Sequence, residues 1–141
     1  MKIGVMHGPN LGRLGTRSPD LYGTITLDVL HRELREAFGD VDLSFFQSNS
    51  EGALIDQLEA WKDEGLDRVA LNPGALTHQS YALRDAIEGL DLTVVEVHIS
   101  NIFQRESFRA QSLTAPVTRG LITGLGIYGY HVAVAYLRSM V

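Results

Sequence analysis

The sequence predicts an α/β fold in which helices cover both faces of a parallel β-sheet. Short, almost continuous apolar stretches alternate along the chain with longer segments in which apolar residues recur every three or four positions. Buried parallel strands produce the first pattern and amphipathic helices the second. The chain has 141 residues, of which 45% are hydrophobic, so it can bury one core, and we expect a single domain over residues 1–141.

The strands are predicted from short apolar stretches that end at turn-forming residues. They cover Lys2 to Met6, Val41 to Gln47, Arg68 to Asn72, Leu92 to His98 and Leu121 to Thr123. The first strand is followed by a long glycine-rich loop from Gly8 to Gly23. A loop of this length in a small domain is often functional.

The helices are predicted where apolar residues recur at helical spacing. Thr26 and Ser50 are the expected N-caps of the first two, and Gly39 and Gly65 are expected to end them. The predicted helices cover Leu27 to Phe38, the segment between Ser50 and Gly65, Ser80 to Leu90, and Tyr128 to Met140. Strands and helices thus alternate, with at most five of each. Because right-handed crossovers place helices on both faces, we predict a flavodoxin-like three-layer sandwich with a five-stranded parallel sheet.

Composition argues against several classes of function. With 12 Lys and Arg against 17 Asp and Glu, the formal net charge is -5, and no dense basic run attracts nucleic acid or an anionic membrane. The absence of cysteine excludes disulfides, thiolate nucleophiles and thiolate metal sites, and the five histidines lack metal-ligand spacing, so we expect no metal. The apolar stretches are too short to span a membrane and no signal peptide is evident, so we expect a cytoplasmic protein.

Polar residues follow three of the predicted strands. Asn10 comes after the first strand, Asn72 ends the third, and His98 and Ser100 lie at the end of the fourth. In open parallel α/β sheets, ligands bind outside the carboxyl ends of the strands. These residues are therefore the first candidates for a binding site.

The glycine-rich loop carries Tyr22 together with Arg13 and Arg17. A phenol becomes a usable base only where neighbouring positive charge favours its ionised form, and Arg17 is the nearest candidate to supply that charge. Such a base could remove a proton next to a carbonyl group, with Asn10 donating hydrogen bonds, directly or through water, to the enolate formed. Alternatively, the segment is a surface loop and Tyr22 a packing residue.

Glu96, His98 and Ser100 lie on the same side of the fourth strand because strand side chains alternate with a period of two. A carboxylate two residues before His98 could hold its ring in one tautomer, as a proton donor requires. The alternatives are a structural histidine and a Glu96 paired with a distant Lys or Arg.

Two further segments suit binding of a hydroxylated carboxylate. Asn72 and His78 flank a sharp Pro-Gly turn, where they either bind hydroxyl groups or serve as turn former and helix start. Arg105 and Arg109 lie one helical turn apart, so they form either a fork for a carboxylate or a solvated helix face. Together these residues indicate acid–base chemistry on a small hydroxylated carboxylate.

Four motifs in order carry a resemblance to a known family. They read GPNLGRLGTRSPDLYG, LNPGALTHQSYALRDAI, VEVHISNIFQRESFR and RGLITGLGIYGYHVAVAYL, and they cover essentially the whole chain. The chain resembles the type II 3-dehydroquinate dehydratases. The resemblance implies a flavodoxin-like domain that assembles into a homododecamer, a tetramer of trimers. It also implies anti elimination of water from 3-dehydroquinate through an enolate, giving 3-dehydroshikimate without metal, Schiff base or other cofactor.

The resemblance also implies roles for individual residues. Tyr22 matches the base, Arg17 the arginine that activates it, and Asn10 the residue that holds a water on the enolate oxygen. His98 matches the proton donor, with Glu96 orienting it. The residues that match substrate contacts are Asn72, His78, Ile99, Ser100 and Arg109, and Asp85 matches an acid that reaches a neighbouring subunit's site.

Three positions depart from the family's usual residues. Gly12 stands where asparagine is frequent, Leu76 where an aromatic is common, and Gln104 where a small residue is usual. None of them removes a catalytic group, so the departures bear on affinity and loop rigidity. Because the predicted fold also occurs in flavin carriers, phospho-receivers and noncatalytic binding proteins, the fold alone does not decide among them.

Overall fold

The computed structural model describes residues 1–16 and 18–140 and contains one parallel β-sheet of five strands. The strands are β1 (Lys2–His7), β2 (Asp42–Gln47), β3 (Arg68–Asn72), β4 (Thr93–His98) and β5 (Gly120–Thr123). Their spatial order is β2-β1-β3-β4-β5, and every neighbouring pair is parallel. This is the predicted flavodoxin-like arrangement, and each predicted strand is confirmed to within about two residues at its ends.

The described chain forms six α-helices. They are α1 (Pro19–Tyr22), α2 (Leu27–Ala37), α3 (Glu51–Asp63), α4 (Leu76–Gln79), α5 (Tyr81–Gly89) and α6 (Tyr128–Ser139). The expectation of at most five was wrong because α1 and α4 are single turns, too short to show a helical repeat of apolar residues. The N-caps at Thr26 and Ser50 are confirmed, since each side chain accepts a hydrogen bond from the backbone N–H three residues on.

The helices cover both faces of the sheet and bury two apolar clusters. On one face, Val5 and Val97 pack with Leu34 of α2 and Val134 of α6. On the other face the members belong to the sheet, to α3 and to α5, and include Met6, Leu71, Val94, Leu54, Leu58 and Leu83. None of the helices in the described part of the chain is long and apolar enough to cross a membrane.

The sheet fixes where polar residues meet. In the parallel register, His7 of β1 lies beside Asn72 of β3, and Leu71 lies beside Glu96 of β4. The carboxyl ends of these three central strands therefore share one edge. The segments that follow them, together with α1, α4 and two 3-10 turns at Ile102–Gln104 and Ser107–Ala110, surround this edge.

Candidate active site

A cavity of about 200 Å³ opens at the carboxyl edge of the sheet, a size that suits part or all of a small molecule. Most of the predicted site residues line it. These residues are Asn10, Tyr22, Asn72, His78, His98, Ile99, Ser100 and Arg109. The fold thus brings together side chains from the loop after β1, from the ends of β3 and β4, and from the segments that follow them.

Two predicted site residues, Glu96 and Asp85, do not line this cavity. Glu96 lies beneath its floor, fully buried and bonded to His98. Asp85 lies on α5, where its side chain is 72% exposed and pairs with Arg84 at 3.0 Å. Arg17 lies outside the described residues. The predicted pairing of Glu96 with His98 is therefore present in the geometry.

His98 and Glu96 form a buried pair at the end of β4. The Nε2 atom of His98 lies 2.6 Å from Oε2 of Glu96. Burial raises the pKa of Glu96, but the hydrogen bond and charge of His98, with hydrogen bonds from Thr114 and Thr77, outweigh burial and leave this pKa below its usual value. An ionised Glu96 accepts the Nε2 proton, so Nδ1 is the ring nitrogen left to serve a ligand.

Arg105 contacts Tyr22, which the sequence predicted as a candidate base. Its Nη1 group donates hydrogen bonds to Oη of Tyr22 at 2.8 Å and to Oγ of Ser100 at 3.1 Å. Its guanidinium carbon also lies 5.6 Å from the centre of the Tyr22 ring. A guanidinium at this distance can stabilise negative charge that develops on the phenol oxygen.

The prediction that Arg105 and Arg109 lie one turn apart on the same helix is wrong. Arg105 has an extended backbone after the turn at Ile102–Gln104, whereas Arg109 lies in the next turn, Ser107–Ala110. Both still line the cavity. The contact of Arg105 with Tyr22 joins residues 83 positions apart, so no local sequence signal announces it.

Asn10 is held by the end of the neighbouring strand β2. Its backbone is left-handed, with φ of 71°, and its N–H donates to Oδ1 of Asn49 at 2.9 Å. Gln47 donates from Nε2 to the same oxygen at 3.2 Å and to the carbonyl of Gly8 at 3.3 Å. Sequence reasoning missed Gln47 and Asn49, although Gln47 ends β2 and Asn49 follows it, as the other polar candidates end or follow their strands.

Asn72 belongs to a polar chain that runs behind the cavity. Its Nδ2 group donates to Oη of Tyr130 at 3.0 Å, and its Oδ1 atom accepts from the Gly74 N–H at 3.0 Å. Tyr130 in turn lies 2.9 Å from Nδ1 of His7, whose Nε2 lies 2.8 Å from Nε2 of His31. Both ends of the Asn72 amide are therefore fixed.

Burial dominates the electrostatics of this polar chain. It lowers the pKa of His7 to about 3, with a smaller contribution from His31, and it raises the pKa of Tyr130. Both side chains are therefore neutral near pH 7. Sequence reasoning missed Tyr130, His7 and His31 as a connected group, because they come from three different elements.

His78 and Arg109 lie together on another wall of the cavity. Nδ1 of His78 donates to the Gln111 carbonyl at 2.7 Å, and its ring meets the Phe108 ring edge-on at 5.8 Å. Arg109 packs its guanidinium over Phe108 at 4.6 Å and donates from Nε to Glu106. That hydrogen bond lowers the pKa of Glu106. A guanidinium held in this way suits a ligand carboxylate.

The arrangement supplies the groups of acid–base catalysis. A phenol oxygen contacts a guanidinium, and an imidazole is backed by a buried carboxylate, around one cavity with amide and hydroxyl groups for binding. Within residues 1–16 and 18–140, no three His, Asp or Glu side chains converge in a way that could hold a metal ion.

Comparisons with known proteins agree with this geometry. A 3-dehydroquinate dehydratase of Pelodictyon phaeoclathratiforme is 50% identical over 99% of this chain and 93% of the relative. One of Bacillus pumilus is 53% identical over 96% of this chain and 92% of the relative. The crystal structure of type II dehydroquinase from Butyrivibrio crossotus matches with a TM-score of 0.95 and 42% identity, covering 99% of this chain and 98% of that one. The model of the family described as dehydroquinase class II matches residues 1–138.

Proposed function

Because the chain belongs to the class II dehydroquinase family, we propose that it is a hydro-lyase that dehydrates 3-dehydroquinate to 3-dehydroshikimate in the shikimate pathway. The observation that carries the proposal is the cavity that holds both Tyr22, contacted by Arg105, and His98, backed by Glu96. A single catalytic domain over residues 1–141 is part of the proposal.

Tyr22 acts as the base in the first step. Its phenolate removes a proton from the carbon next to the ketone of the substrate, and the electron pair moves to the ketone oxygen to give an enolate. The hydrogen bond from Arg105 to Oη of Tyr22 at 2.8 Å supports this role, because a guanidinium stabilises negative charge on the oxygen that it contacts. By resemblance to the family, Arg17 also activates Tyr22. Asn10 holds a water that donates to the enolate oxygen.

His98 acts as the acid in the second step. The enolate re-forms the ketone, its electron pair makes the new carbon–carbon double bond, and the hydroxyl group on the next carbon leaves with the proton of His98 as water. Glu96 supports this step because it accepts the hydrogen bond from Nε2, orients the ring and leaves Nδ1 to donate to the leaving group.

The remaining cavity residues bind the substrate. Arg109 pairs with the carboxylate, while Asn72, His78 and Ser100 bind hydroxyl groups and Ile99 packs against the ring. The three departures from the family pattern do not line the cavity. Leu76 is buried in the core, Gln104 is exposed, and a Cβ atom at Gly12 would lie 3.0 Å from Oε1 of Gln47.

Assembly into a homododecamer is a further part of the proposal. Asp85 does not line the cavity of its own chain and is largely exposed, which supports a role at the site of a neighbouring subunit. Measurement of the native mass would test the assembly. The cytoplasmic location expected from the sequence stays a prediction.

An absorbance assay tests the reaction. Metal-free protein mixed with 3-dehydroquinate should give the ultraviolet absorbance of the conjugated enone product.

Tyr22→Phe, which keeps the aromatic ring, should lose nearly all turnover and still bind ligand, because the hydroxyl serves the chemistry. Binding without absorbance in the parent protein would indicate a noncatalytic binding protein instead, and full activity of the variant would exclude Tyr22 as base.

A further inference from the structure

Three hydroxyl groups enclose the buried carboxylate of Glu96. Oγ1 of Thr77 donates to Oε2 of Glu96 at 2.9 Å, and Oγ1 of Thr114 donates to Oε1. Oγ of Ser112 lies 2.5 Å from Oγ1 of Thr77 and 3.5 Å from Oε2 of Glu96. Thr77, Thr114 and Glu96 are all fully buried. Nothing in the sequence patterns marked these hydroxyl groups as part of the site.

The protons in this cluster can be assigned consistently. Thr77 and Thr114 each have one hydroxyl proton, and both are directed at Glu96. Ser112 accepts from the Ala115 N–H at 2.9 Å, so its own proton is available to Thr77. With the Nε2 proton of His98, the carboxylate receives three hydrogen bonds. All three donors find an acceptor without competition from a carboxyl proton only while Glu96 is ionised.

The donors on Glu96 other than His98 are electrically neutral. In the part of the chain that the structure describes, Glu96 forms no ion pair with lysine or arginine. Hydroxyl groups stabilise the buried negative charge without cancelling it, whereas a nearby lysine or arginine would compete with an imidazolium for it. The full charge of the carboxylate therefore remains available to His98.

We propose that Thr77 and Thr114 are positioning residues for proton transfer at His98: their hydroxyl groups hold Glu96 as an oriented carboxylate, and Ser112 aligns the hydroxyl of Thr77. The role rests on the proposed function, in which His98 protonates the leaving hydroxyl. The cluster joins two segments of the chain, because Thr77 lies on α4 and the backbone N–H of Leu113 donates to the Thr77 carbonyl at 2.6 Å.

His98 is the titratable group that faces Glu96. From the neighbouring strands, the residues in register are Leu71 and Leu121, which carry no charge. From α4 and from the segment after residue 111, the groups in contact are the hydroxyls already described. The pKa of Glu96 lies below its usual value partly because Thr114 and Thr77 donate to it.

A pair of variants at Thr114 tests the proposal. Thr114→Val removes the hydroxyl at nearly constant shape, whereas Thr114→Ser retains it. Loss of one hydrogen bond to a buried carboxylate should raise the pKa of Glu96 and move the acid limb of the kcat profile to higher pH by about one to two units. KM above this limb should stay within about twofold of the parent value, since Thr114 does not line the cavity. Thr114→Ser should follow the parent profile.

Infrared difference titration gives a second readout that does not depend on activity. The carboxylic C=O band of Glu96, assigned by ¹³C-labelled glutamate and by its absence in Glu96→Gln, should appear at higher pH in Thr114→Val than in the parent. If Thr114→Val does not fold, Thr77→Val with a Thr77→Ser control replaces it.

The outcomes separate this inference from the proposed function. An active parent enzyme with unchanged pH profile and unchanged infrared titration in Thr114→Val overturns the positioning role and leaves the function standing. A parent protein without dehydratase activity overturns the proposed function, and with it the positioning role, even if the infrared titration shifts. A shift in both readouts, reversed in Thr114→Ser, is the expected result.

Discussion

At the scale of single residues, two neighbouring arginines have different surroundings. Arg105 donates to the tyrosine oxygen and to Ser100, whereas Arg109 packs on Phe108 and donates to Glu106. In the proposed mechanism, Arg105 stabilises charge that is needed in the transition state, and Arg109 binds a carboxylate that stays charged throughout. Their removal should therefore affect different kinetic constants.

Methionine substitutions test this division. Arg105→Met removes a charge-assisted hydrogen bond worth about 1.5–3 kcal/mol, so kcat should fall about 10- to 100-fold. Arg109→Met should mainly raise KM, because it removes an interaction present in substrate and transition state alike. Steady-state kinetics on both variants provide the measurement. Equal effects of the two substitutions on kcat would contradict the assigned roles.

The sequence predicted those site residues that are marked by a pattern in their own segment of the chain. Glu96 and His98 are two residues apart on a strand, and the two-residue period places them on one side. The contact of Arg105 with Tyr22 and the contact of Thr77 with Glu96 each join separate elements. Such contacts depend on how the elements pack, so the pattern of one segment does not reveal them.

At the scale of elements, the contact between β1 and α3 depends on a glycine. A Cβ atom at Gly4 would lie 2.6 Å from Cζ3 of Trp61, well inside contact distance. The absence of a side chain lets the indole lie directly on the strand. The strand that leads into the Asn10 loop is thus held against its helix by close packing.

Alanine substitutions at two glycines test this packing. Gly4→Ala should lower the free energy of unfolding by about 1–3 kcal/mol because Trp61 must move. Gly89→Ala, near the end of α5 where nothing lies within 4 Å of the added Cβ, should be neutral or slightly stabilising. Urea unfolding at one protein concentration compares the two. A Gly4→Ala protein as stable as the parent would show that the indole adapts without cost.

Element prediction succeeded where a repeat was long enough to be read. Helices α2, α3, α5 and α6 span at least two turns, and predicted capping residues marked the starts of α2 and α3. The single turns α1 and α4 are too short to show a helical repeat of apolar residues. They form because tertiary contacts around the cavity stabilise them. Both contribute to the site, through Tyr22 and through His78.

At the scale of the whole molecule, buried polar networks lie on opposite faces of the sheet and end at the same cavity. The network of His7, Tyr130 and Asn72 lies on the face covered by α2 and α6. The hydroxyl cluster around Glu96 lies on the other face, beside Leu71. Charged and polar groups buried in this way link stability to pH.

The protein should become less stable below pH 6.5. Folded His7, with a pKa of about 3, stays neutral, whereas in the unfolded chain it takes up a proton below its ordinary value of 6.5. The contribution of His7 to the free energy of unfolding is therefore complete above pH 6.5. It decreases as the pH falls, by up to about 1.4 kcal/mol per pH unit. His31, whose pKa is lowered in the same direction, adds to the effect.

Unfolding measured between pH 7 and pH 5 checks this. This pH range stays above 4.5, the ordinary pKa of Glu96. The contribution of Glu96 to the free energy of unfolding is lost only as the pH falls further. His7→Asn, which takes up no proton, should show a shallower dependence than the parent. Equal slopes in the two proteins would exclude His7 as the group responsible.

The fold as a whole was the most predictable level. Alternating strands and helices leave few topologies once crossovers are right-handed, and the resulting order places the predicted polar residues at one edge. The assembly state is different, because it depends on how surfaces of separate chains fit, and the resemblance is what supports it.

The way the His98 ring is seated has a consequence for the catalytic cycle. In the proposed mechanism each turnover leaves the phenol with an added proton and the imidazole one proton short. Because Nε2 of His98 is bonded to Glu96, the ring regains its proton only at Nδ1. The proton must cross the space that the product occupies until it leaves. Product release must therefore precede reprotonation of His98. Solvent that enters the cavity after the product leaves returns the enzyme to its starting protonation state.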